Sequence, residues 1–408
     1  MVFIFRDDTT NIHEFRVNWE NSAYDNTVIR NVNRWSLNAV KHNAQEIIIS
    51  IDQCHNSAYV IPHQLLNCKS LRKLVIEVFD TVGYLDLVLP RSINLPQLKE
   101  LSMYGFSISN LEISKRFFSS CPVLEALDTF GSDIQTDNQR NFVVESLSLK
   151  KFAYTCCHRH LLPQNDTMAN IIQLFAPNLE DFVCRFFLTQ DYSIEISSPL
   201  SEVYFDMILK EKEEDENEDT YSELPSEKKI VYAKRVVRYL RAVSMVKNLG
   251  LSPFFLEVLS QAPNLLDCQP PRLCDLQYLT LEMWSTRGSL RAIAYLLKMS
   301  PNITRIYLCS KTKESNITDI GDDWEAGLSL PGMLSHLKYV QFEEAEGCDA
   351  ELKLLVFFLK NAKVLEKVVL YFRPSAASSK RVRQEQFKDK LRAVPTASSS
   401  IKMVFKIG

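Results

Sequence analysis

The phrase SCPVLEAL, Ser120 to Leu127, constrains this chain more than any other stretch, because it is rewritten along the whole length. It returns as APNLEDF from Ala176, APNLLDC from Ala262, SPNITRI from Ser300 and NAKVLEKV from Asn361. Related forms are NCKSLRKL from Asn67, LPQLKEL from Leu95, CDLQYLTL from Cys274 and LSHLKYV from Leu334. A unit of this size cannot bury its own apolar face. Stacked copies can, so the chain reads first of all as a repeat array.

The spacing agrees. Leading residues at Leu71, Leu98, Leu124, Leu149, Leu179 and Leu200 are separated by 27, 26, 25, 30 and 21 residues. Later ones at Leu276, Ile303, Leu337 and Leu365 are separated by 27, 34 and 28. This is the leucine-rich-repeat range of roughly 20–29 residues, with a few longer units. Each phrase reads L-x-x-L-x-L or a near variant, as in Leu276/Leu279/Leu281 and Leu365/Val368/Leu370. The last two positions alternate with period 2, which predicts a strand with one buried face.

The stretches before the phrases have a different period. Phe117 and Phe118 precede one, and Ile171, Ile172, Leu174 and Phe175 precede the next. Phe254 to Leu259, Ile293 to Met299 and Leu354 to Leu359 precede the later ones. Three-to-four-residue spacing predicts short helices, each stopped by the Pro that follows in most copies. One unit is therefore helix, tight turn, strand. The fold class expected is α/β: a curved leucine-rich-repeat solenoid with parallel strands on the concave side and helices on the convex side. An ordinary α/β protein with unrelated βα units would not require the recurring Pro-Asn-Leu wording.

Composition narrows the function classes. Hydrophobic residues make up 46% of 408, which excludes general disorder, and the formal net charge is only −3. Bulk charge thus calls for neither nucleic acid nor a membrane surface. No apolar run reaches transmembrane length, and MVFIFRDDTTN is too short in its apolar part for a secretory leader. The ten cysteines, at 54, 68, 121, 156, 157, 184, 268, 274, 309 and 348, read as free core thiols of a reducing compartment, cytoplasmic or nuclear. Cys156, Cys157, His158 and His160 form the sole local cluster that suggests metal. Adjacent cysteines point to opposite sides of a strand, and no second pair stands at zinc spacing. The sequons at Asn165, Asn302 and Asn316 carry no weight without secretion.

Along the chain, Phe3, Phe5, Ile12, Phe15 and Val17 predict an opening strand or hairpin. Val28 to Ala39 predicts a helix with Trp35 on its inner side, and Glu46 to Ile51 a strand. Residues 1–60 then form an irregular capping unit, as solenoid ends do. Residues 61–320 form the repeats, interrupted by an acidic, disordered insertion at 210–229 whose core EKEEDENED holds seven acids in nine residues. It lacks the Gly and spaced acids of a calcium loop. Lys234 to Lys247 predicts a helix with Arg235, Arg238 and Arg241 outside. Residues 321–408 open at Asp322-Asp323-Trp324 and contain the last two strand phrases. A basic stretch from Arg373 to Ser400 follows, in which Phe387 and Leu391 share a helical face. Ile401 to Ile407 predicts a closing strand.

These residues resemble the plant F-box/FBD/leucine-rich-repeat proteins. CPVLE, LPQLKEL and the Trp35 helix are similar to that family's repeat region. Leu334 to Lys338, the acids up to Gly347, Glu351-Leu352 and Phe358 to Lys367 are similar to its small C-terminal FBD domain, which continues the repeats. The resemblance runs from Phe3 to Ile407. It implies the substrate-recognition part of a cullin-based ubiquitin ligase subunit, in which an N-terminal F-box holds the adaptor Skp1 and the repeats hold the target. An F-box helix would start Leu-Pro-x-x-hydrophobic, and none precedes Phe3. The expectation is a non-enzymatic protein-interaction scaffold, with an unknown target protein on the repeat surface and a Skp1-like adaptor only if an F-box exists. The alternative is a complete F-box adaptor of ubiquitin-dependent degradation whose upstream F-box was lost from the gene model.

No catalytic, cofactor-binding or metal residue is nominated, and no cofactor is expected. GxSxG, HExxH, P-loop and GxGxxG motifs are absent from the sequence. His158 and His160 flank Cys157, but neighbours in sequence rarely point a base at a nucleophile. The basic stretch Arg373 to Arg392 lacks the interleaved aromatics of a single-strand nucleic-acid binder, so neither nucleic acid nor membrane is an expected partner.

Overall fold

The computed structural model describes residues 11–19, 27–52, 58–79, 85–108, 111–131, 133–134, 142–155, 169–188, 191–196, 199–208, 224–261, 272–284, 288–311, 333–374 and 378–407. The chain divides into two compact units, Met1–Ser198 and Pro199–Gly408.

Unit 1 begins β1 (Glu14–Trp19), α1 (Thr27–Lys41), β2 (Glu46–Asp52), β3 (Tyr59–Val60), β4 (Lys73–Phe79) and β5 (Leu85–Val88). It continues β6 (Glu100–Tyr104), β7 (Phe106–Ile108), α2 (Leu111–Ser119), β8 (Ala126–Phe130), β9 (Asp133–Ile134) and β10 (Phe142–Glu145). It ends β11 (Lys151–Thr155), β12 (Ala169–Phe175), β13 (Asp181–Phe187) and β14 (Asp191–Ile196). The main sheet runs β1-β2-β4-β6-β8-β11-β13, and its pairs are parallel. The opening strand is thus a parallel neighbour of β2. Ile47, Leu74, Leu101, Leu127, Phe152 and Phe182 stand opposite one another across these strands, all buried. They are the second apolar positions of successive phrases, stacked by a register that a one-residue slip would destroy.

Unit 2 holds β15 (Glu202–Ile208), α3 (Ser226–Ala242), β16 (Asn248–Leu251), α4 (Pro253–Ser260), β17 (Tyr278–Trp284) and α5 (Gly288–Met299). It continues β18 (Arg305–Lys311), β19 (Tyr339–Ala345), α6 (Asp349–Asn361), β20 (Lys367–Phe372), α7 (Ser378–Arg392) and β21 (Lys402–Ile407). Strand order follows chain order, again in parallel pairs. The stacked row here is Val203, Leu249, Leu279, Ile306, Val340, Val368 and Met403. Each fully buried aliphatic in such a row contributes about 1.5–3 kcal/mol. Phe205 stacks on Phe255 of α4 with centroids 5.7 Å apart, and Phe387 and Leu391 of α7 are buried, Phe387 against Phe372 at 6.0 Å.

Two backbone devices explain the recurring wording. The leading residue of most phrases donates its N–H to the carbonyl three residues earlier, as Leu124 does to Cys121 at 3.2 Å and Leu179 to Ala176 at 3.0 Å. Ile303 to Ser300 and Leu365 to Ala362 repeat it. This is the tight turn that the Pro and small residues permit. The Asn of Pro-Asn-Leu then braces the turn to the preceding repeat. Asn178 Nδ2 donates to the Leu147 carbonyl and Asn302 Nδ2 to the Cys274 carbonyl, both at 2.8 Å. Just before most strands of the two main rows, one carbonyl accepts two amides of the next repeat. Lys99 accepts Glu125 and Ala126, and Gln277 accepts Thr304 and Arg305.

The structure departs from the sequence expectations in five places. Ile171 to Phe175 lies in β12 and is no helix. Its buried residues Ile172 and Leu174 alternate with less buried ones, and β-branched residues favour a pleated surface. More broadly, unit 1 has short strands in its second layer: parallel sheets β3-β5-β7-β9 and β10-β12-β14 accompany α1 and α2. The helix-turn-strand unit describes unit 2 better. Arg235 of α3 is buried, not outside, with its guanidinium over the Tyr232 ring at 5.3 Å, whereas Arg238 and Arg241 are exposed. Trp35 is half-buried against Trp19 at 6.0 Å, and Val32, Ser36 and Ala39 form the inner face of α1.

The acidic insertion expected at 210–229 ends earlier, since Ser226–Lys229 already belongs to α3. Its core lies outside the described residues, as do Phe3, Phe5, APNLLDC, Asp322-Asp323-Trp324 and the Cys156, Cys157, His158, His160 cluster.

Candidate functional site

Strand alternation turns the residues between the buried ones to the other face of the sheet. In unit 2 this face has a distinct chemistry. The position before the buried row reads Tyr278, Arg305, Tyr339, Lys367 and Lys402 on adjacent strands β17 to β21. Two residues along stand Thr280, Tyr307, Gln341, Val369 and Val404. Beyond them Glu282, Cys309 and Glu343 face one another on β17 to β19, and Tyr371 faces Lys406.

The side chains of this face hold one another. The Arg305 guanidinium lies 5.4 Å from the Tyr278 ring and 5.9 Å from the Tyr339 ring. Lys367 Nζ lies 5.8 Å from the same Tyr339 ring, from its own strand neighbour. Tyr307 and Tyr339 pack with centroids 5.8 Å apart. Tyr339 donates its hydroxyl to Gln341 Oε1 at 2.6 Å, and Gln341 Nε2 donates to Glu343 at 2.8 Å. Lys406 Nζ lies 5.1 Å from the Tyr371 ring and donates to its hydroxyl at 3.3 Å. At the β16 end, Gly250 leaves room for the Tyr204 ring, which any Cβ there would strike.

The electrostatics suit binding more than reaction. Partial burial, followed by the neighbouring Tyr307 and Tyr371, pushes the Tyr339 hydroxyl above its ordinary range, so it stays protonated at neutral pH. A hydrogen bond to Tyr307 keeps Arg305 firmly charged. Burial also raises the half-buried Cys309 thiol. The ring and guanidinium contacts present these groups in one orientation, and a preorganised face loses less entropy on binding than a mobile one.

Other sites raised by the sequence fare as follows. Among the described residues, no group of three or more His, Cys, Asp or Glu could hold a metal ion. Cys68, Cys121 and Cys184 are buried as expected of core thiols, whereas Cys274 is exposed and Cys348 caps α6. The basic stretch is largely engaged within its own unit. Arg373 pairs with Glu344 at 2.8 Å and Glu346 at 2.9 Å, and Arg383 donates to the Gly347 carbonyl at 3.1 Å. Lys388 lies over Phe372 and Arg392 over Phe405. The Tyr/Arg/Lys row itself was not singled out from the sequence. Its signal is the third letter of each phrase, LQYLTL, ITRIYL, LKYVQF and LEKVVL, which becomes visible when the phrases are aligned.

Comparison with known proteins agrees with this architecture. Residues 32–271 match the family model described as FBD-associated F-box protein At5g56370, LRR repeats, and residues 330–370 match the FBD model. The Arabidopsis thaliana F-box/FBD/LRR-repeat protein At1g78750 is 24% identical over 406 residues, covering 96% of this chain and 79% of that protein. The FBD-associated F-box protein At1g66310 of the same plant is 26% identical over 377 residues, covering 91% and 74%. The F-box/LRR-repeat protein At3g59210, also from Arabidopsis, is 24% identical over 385 residues, covering 90% and 72%. The repeat match spans more than half of the chain, and the FBD match falls on β19, α6 and β20, so the chain belongs to the plant F-box/FBD/leucine-rich-repeat family.

Proposed function

We propose that this chain is a non-enzymatic protein-interaction scaffold resembling the substrate-recognition part of an SCF-type ubiquitin ligase subunit. The observation that carries the reading is the strand face of unit 2. Tyrosine and arginine dominate the energetics of protein interfaces, and here they stand in register on a rigid sheet. Family membership supports the ligase connection, since the relatives bear F-box names. The reading assigns residues 1–60 to a cap, 61–320 to repeats and 321–408 to an FBD-like end. It assigns no catalytic residue, cofactor, nucleic acid or membrane. No helix among the described residues is long and apolar enough to cross a membrane, and the reading places the protein in the cytoplasm or nucleus.

A second reading, a complete F-box adaptor, rests on the same relatives. A pull-down with purified Skp1 separates the two. The scaffold reading expects residues 1–408 to leave Skp1 in solution, and retention of Skp1 by this chain would replace it with the adaptor reading.

A further inference from the structure

The third letter of the strand phrase carries opposite chemistry in the two units. In unit 1 the row contains Lys73, Glu100, Ala126, Lys151 and Asp181 on adjacent strands. Its lysines are neutralised in place: Lys73 pairs with Glu100 at 2.8 Å and Lys151 with Asp181 at 3.1 Å. In unit 2 the corresponding residues are Tyr278, Arg305, Tyr339, Lys367 and Lys402. Among the described residues, no carboxylate stands within ion-pair distance of Arg305, Lys367 or Lys402. All of these cations are exposed, and two of them lie against the Tyr339 ring. The nearest acid in the same row, Glu202, is three strands from Arg305.

We infer that this row binds an acidic, extended segment of a partner protein, with carboxylates on Arg305 and Lys367 and an apolar or aromatic residue between them on Tyr339. The inference deepens the scaffold reading and rests on it. Arg305 and Lys367 are two strands apart, roughly 9.6 Å at ordinary strand spacing. In the polyproline II form three residues make one turn and span about 9.3 Å, so carboxylates at every third position lie on one face and meet the cations. Arg305 offers a planar fork suited to a carboxylate, and its ring neighbours hold that plane in place. A polyphosphate chain fits less well, because Glu282 and Glu343 occupy the same face further along the strands and confine the positive potential to a strip.

The test uses the full chain and a fluorescein-labelled peptide with glutamate at every third position and phenylalanine between, read by anisotropy. A glutamine-for-glutamate peptide and a uridine oligonucleotide of equal charge serve as competitors. The acidic peptide should bind, weaken with added salt, and exceed the glutamine peptide about tenfold. Arg305→Glu with Lys367→Glu should remove about tenfold of that affinity, and Lys150→Gln in unit 1 should leave it unchanged. Both changed sites are exposed, and Arg305→Gln with Lys367→Gln gives a milder pair should charge reversal lower the melting temperature. Equal binding of the two peptides overturns the inference. So does affinity indifferent to residues 305 and 367, or tighter binding of the oligonucleotide through the same residues. Skp1 retention is read separately, so failure of peptide binding leaves the family-based reading standing and the two failures are distinguishable.

Discussion

The carboxylate of Glu351, with no exposed surface, accepts the amide of Gly347 at 2.7 Å. It also accepts the amides of Cys348 at 3.0 Å and Glu346 at 3.2 Å. Glu351 is the third residue of α6, and Cys348 Sγ accepts its amide in return, a capping box with a thiol in the usual hydroxyl place. Burial nevertheless raises the Glu351 carboxyl above its ordinary range, since those amides offset only part of the desolvation. The same burial, with the Glu351 charge beside it, pushes the Cys348 thiol up to about 12, so it caps as a neutral group. Around them Arg373 clamps Glu344 and Glu346, and the bend connecting β19 to α6 is held from both sides.

Glu351→Ala should therefore lower stability by about 1–3 kcal/mol, because buried amides lose their acceptor. The pH dependence has a fixed sign. A carboxyl whose folded pKa is raised holds its proton better in the folded state. Its contribution to stability is thus full below the ordinary Glu value of about 4.3 and declines as pH rises through the raised one. Glu351→Gln removes that decline. Thermal melts from acidic to neutral pH should show a flatter profile for Glu351→Gln than for the parent. Parallel profiles would mean that Glu351 does not titrate in this window.

Two glycines with left-handed backbone should respond differently to the same change. Gly105 has φ +80° and Gly347 has φ +75°. A Cβ on Gly347 would sit 3.4 Å from Phe387 Cβ, an ordinary contact. Gly347→Ala then bears mainly the conformational cost of about 1–2 kcal/mol. A Cβ on Gly105 would run into the Val78 carbonyl on the neighbouring strand, which cannot step aside. Gly105→Ala should cost more than 347, about 3 kcal/mol or above, by denaturant unfolding. Equal losses would contradict the close backbone approach.

The Pro-Asn-Leu turn offers a third measurement. Asn178→Ala and Asn302→Ala each delete one side-chain bond to the preceding repeat, worth about 0.5–1.5 kcal/mol. Aspartate in the same place keeps the size and loses the donor. Asn302→Asp should therefore lose as much as Asn302→Ala in chemical denaturation. If Asn302→Asp were as stable as the parent, the brace to the Cys274 carbonyl would contribute nothing.

The strands were legible in the sequence because a register-locked row has to be apolar in every copy. Leu74, Leu101, Leu279 and Val368 announce themselves by period alone. The second layer was less legible. Segments such as Ile171 to Phe175 are short and apolar, and a run that brief fits a helix turn or a strand; only pairing with β10 and β14 decides it. Arg235 misled for another reason: a long side chain can bury its stem and lay its guanidinium on Tyr232, which charge alone does not reveal. The candidate face was the hardest part to read. Tyr278, Arg305, Tyr339 and Lys367 lie 27, 34 and 28 residues apart, so no local motif contains them. Register alone brings them together.

Adjacent residues on β17 provide the sharpest test of that register. Leu279 lies in the buried row between Leu249 and Ile306, with no exposed surface. Tyr278 lies one residue earlier on the opposite face, half-buried beside Arg305. Leu279→Ala should cost about 2–5 kcal/mol, the transfer term plus the cavity that closely packed neighbours cannot fill. Tyr278→Ala removes a ring from a solvated face and should cost less than about 1 kcal/mol, as surface changes do. Binding should respond in the opposite order. Loss of the Tyr278 ring frees the Arg305 guanidinium and should weaken the acidic peptide, whereas folded Leu279→Ala protein should bind it as the parent does. Chemical denaturation and anisotropy on the same two proteins give both orders, and a stability loss at 278 as large as at 279 would mean that the strand is turned over.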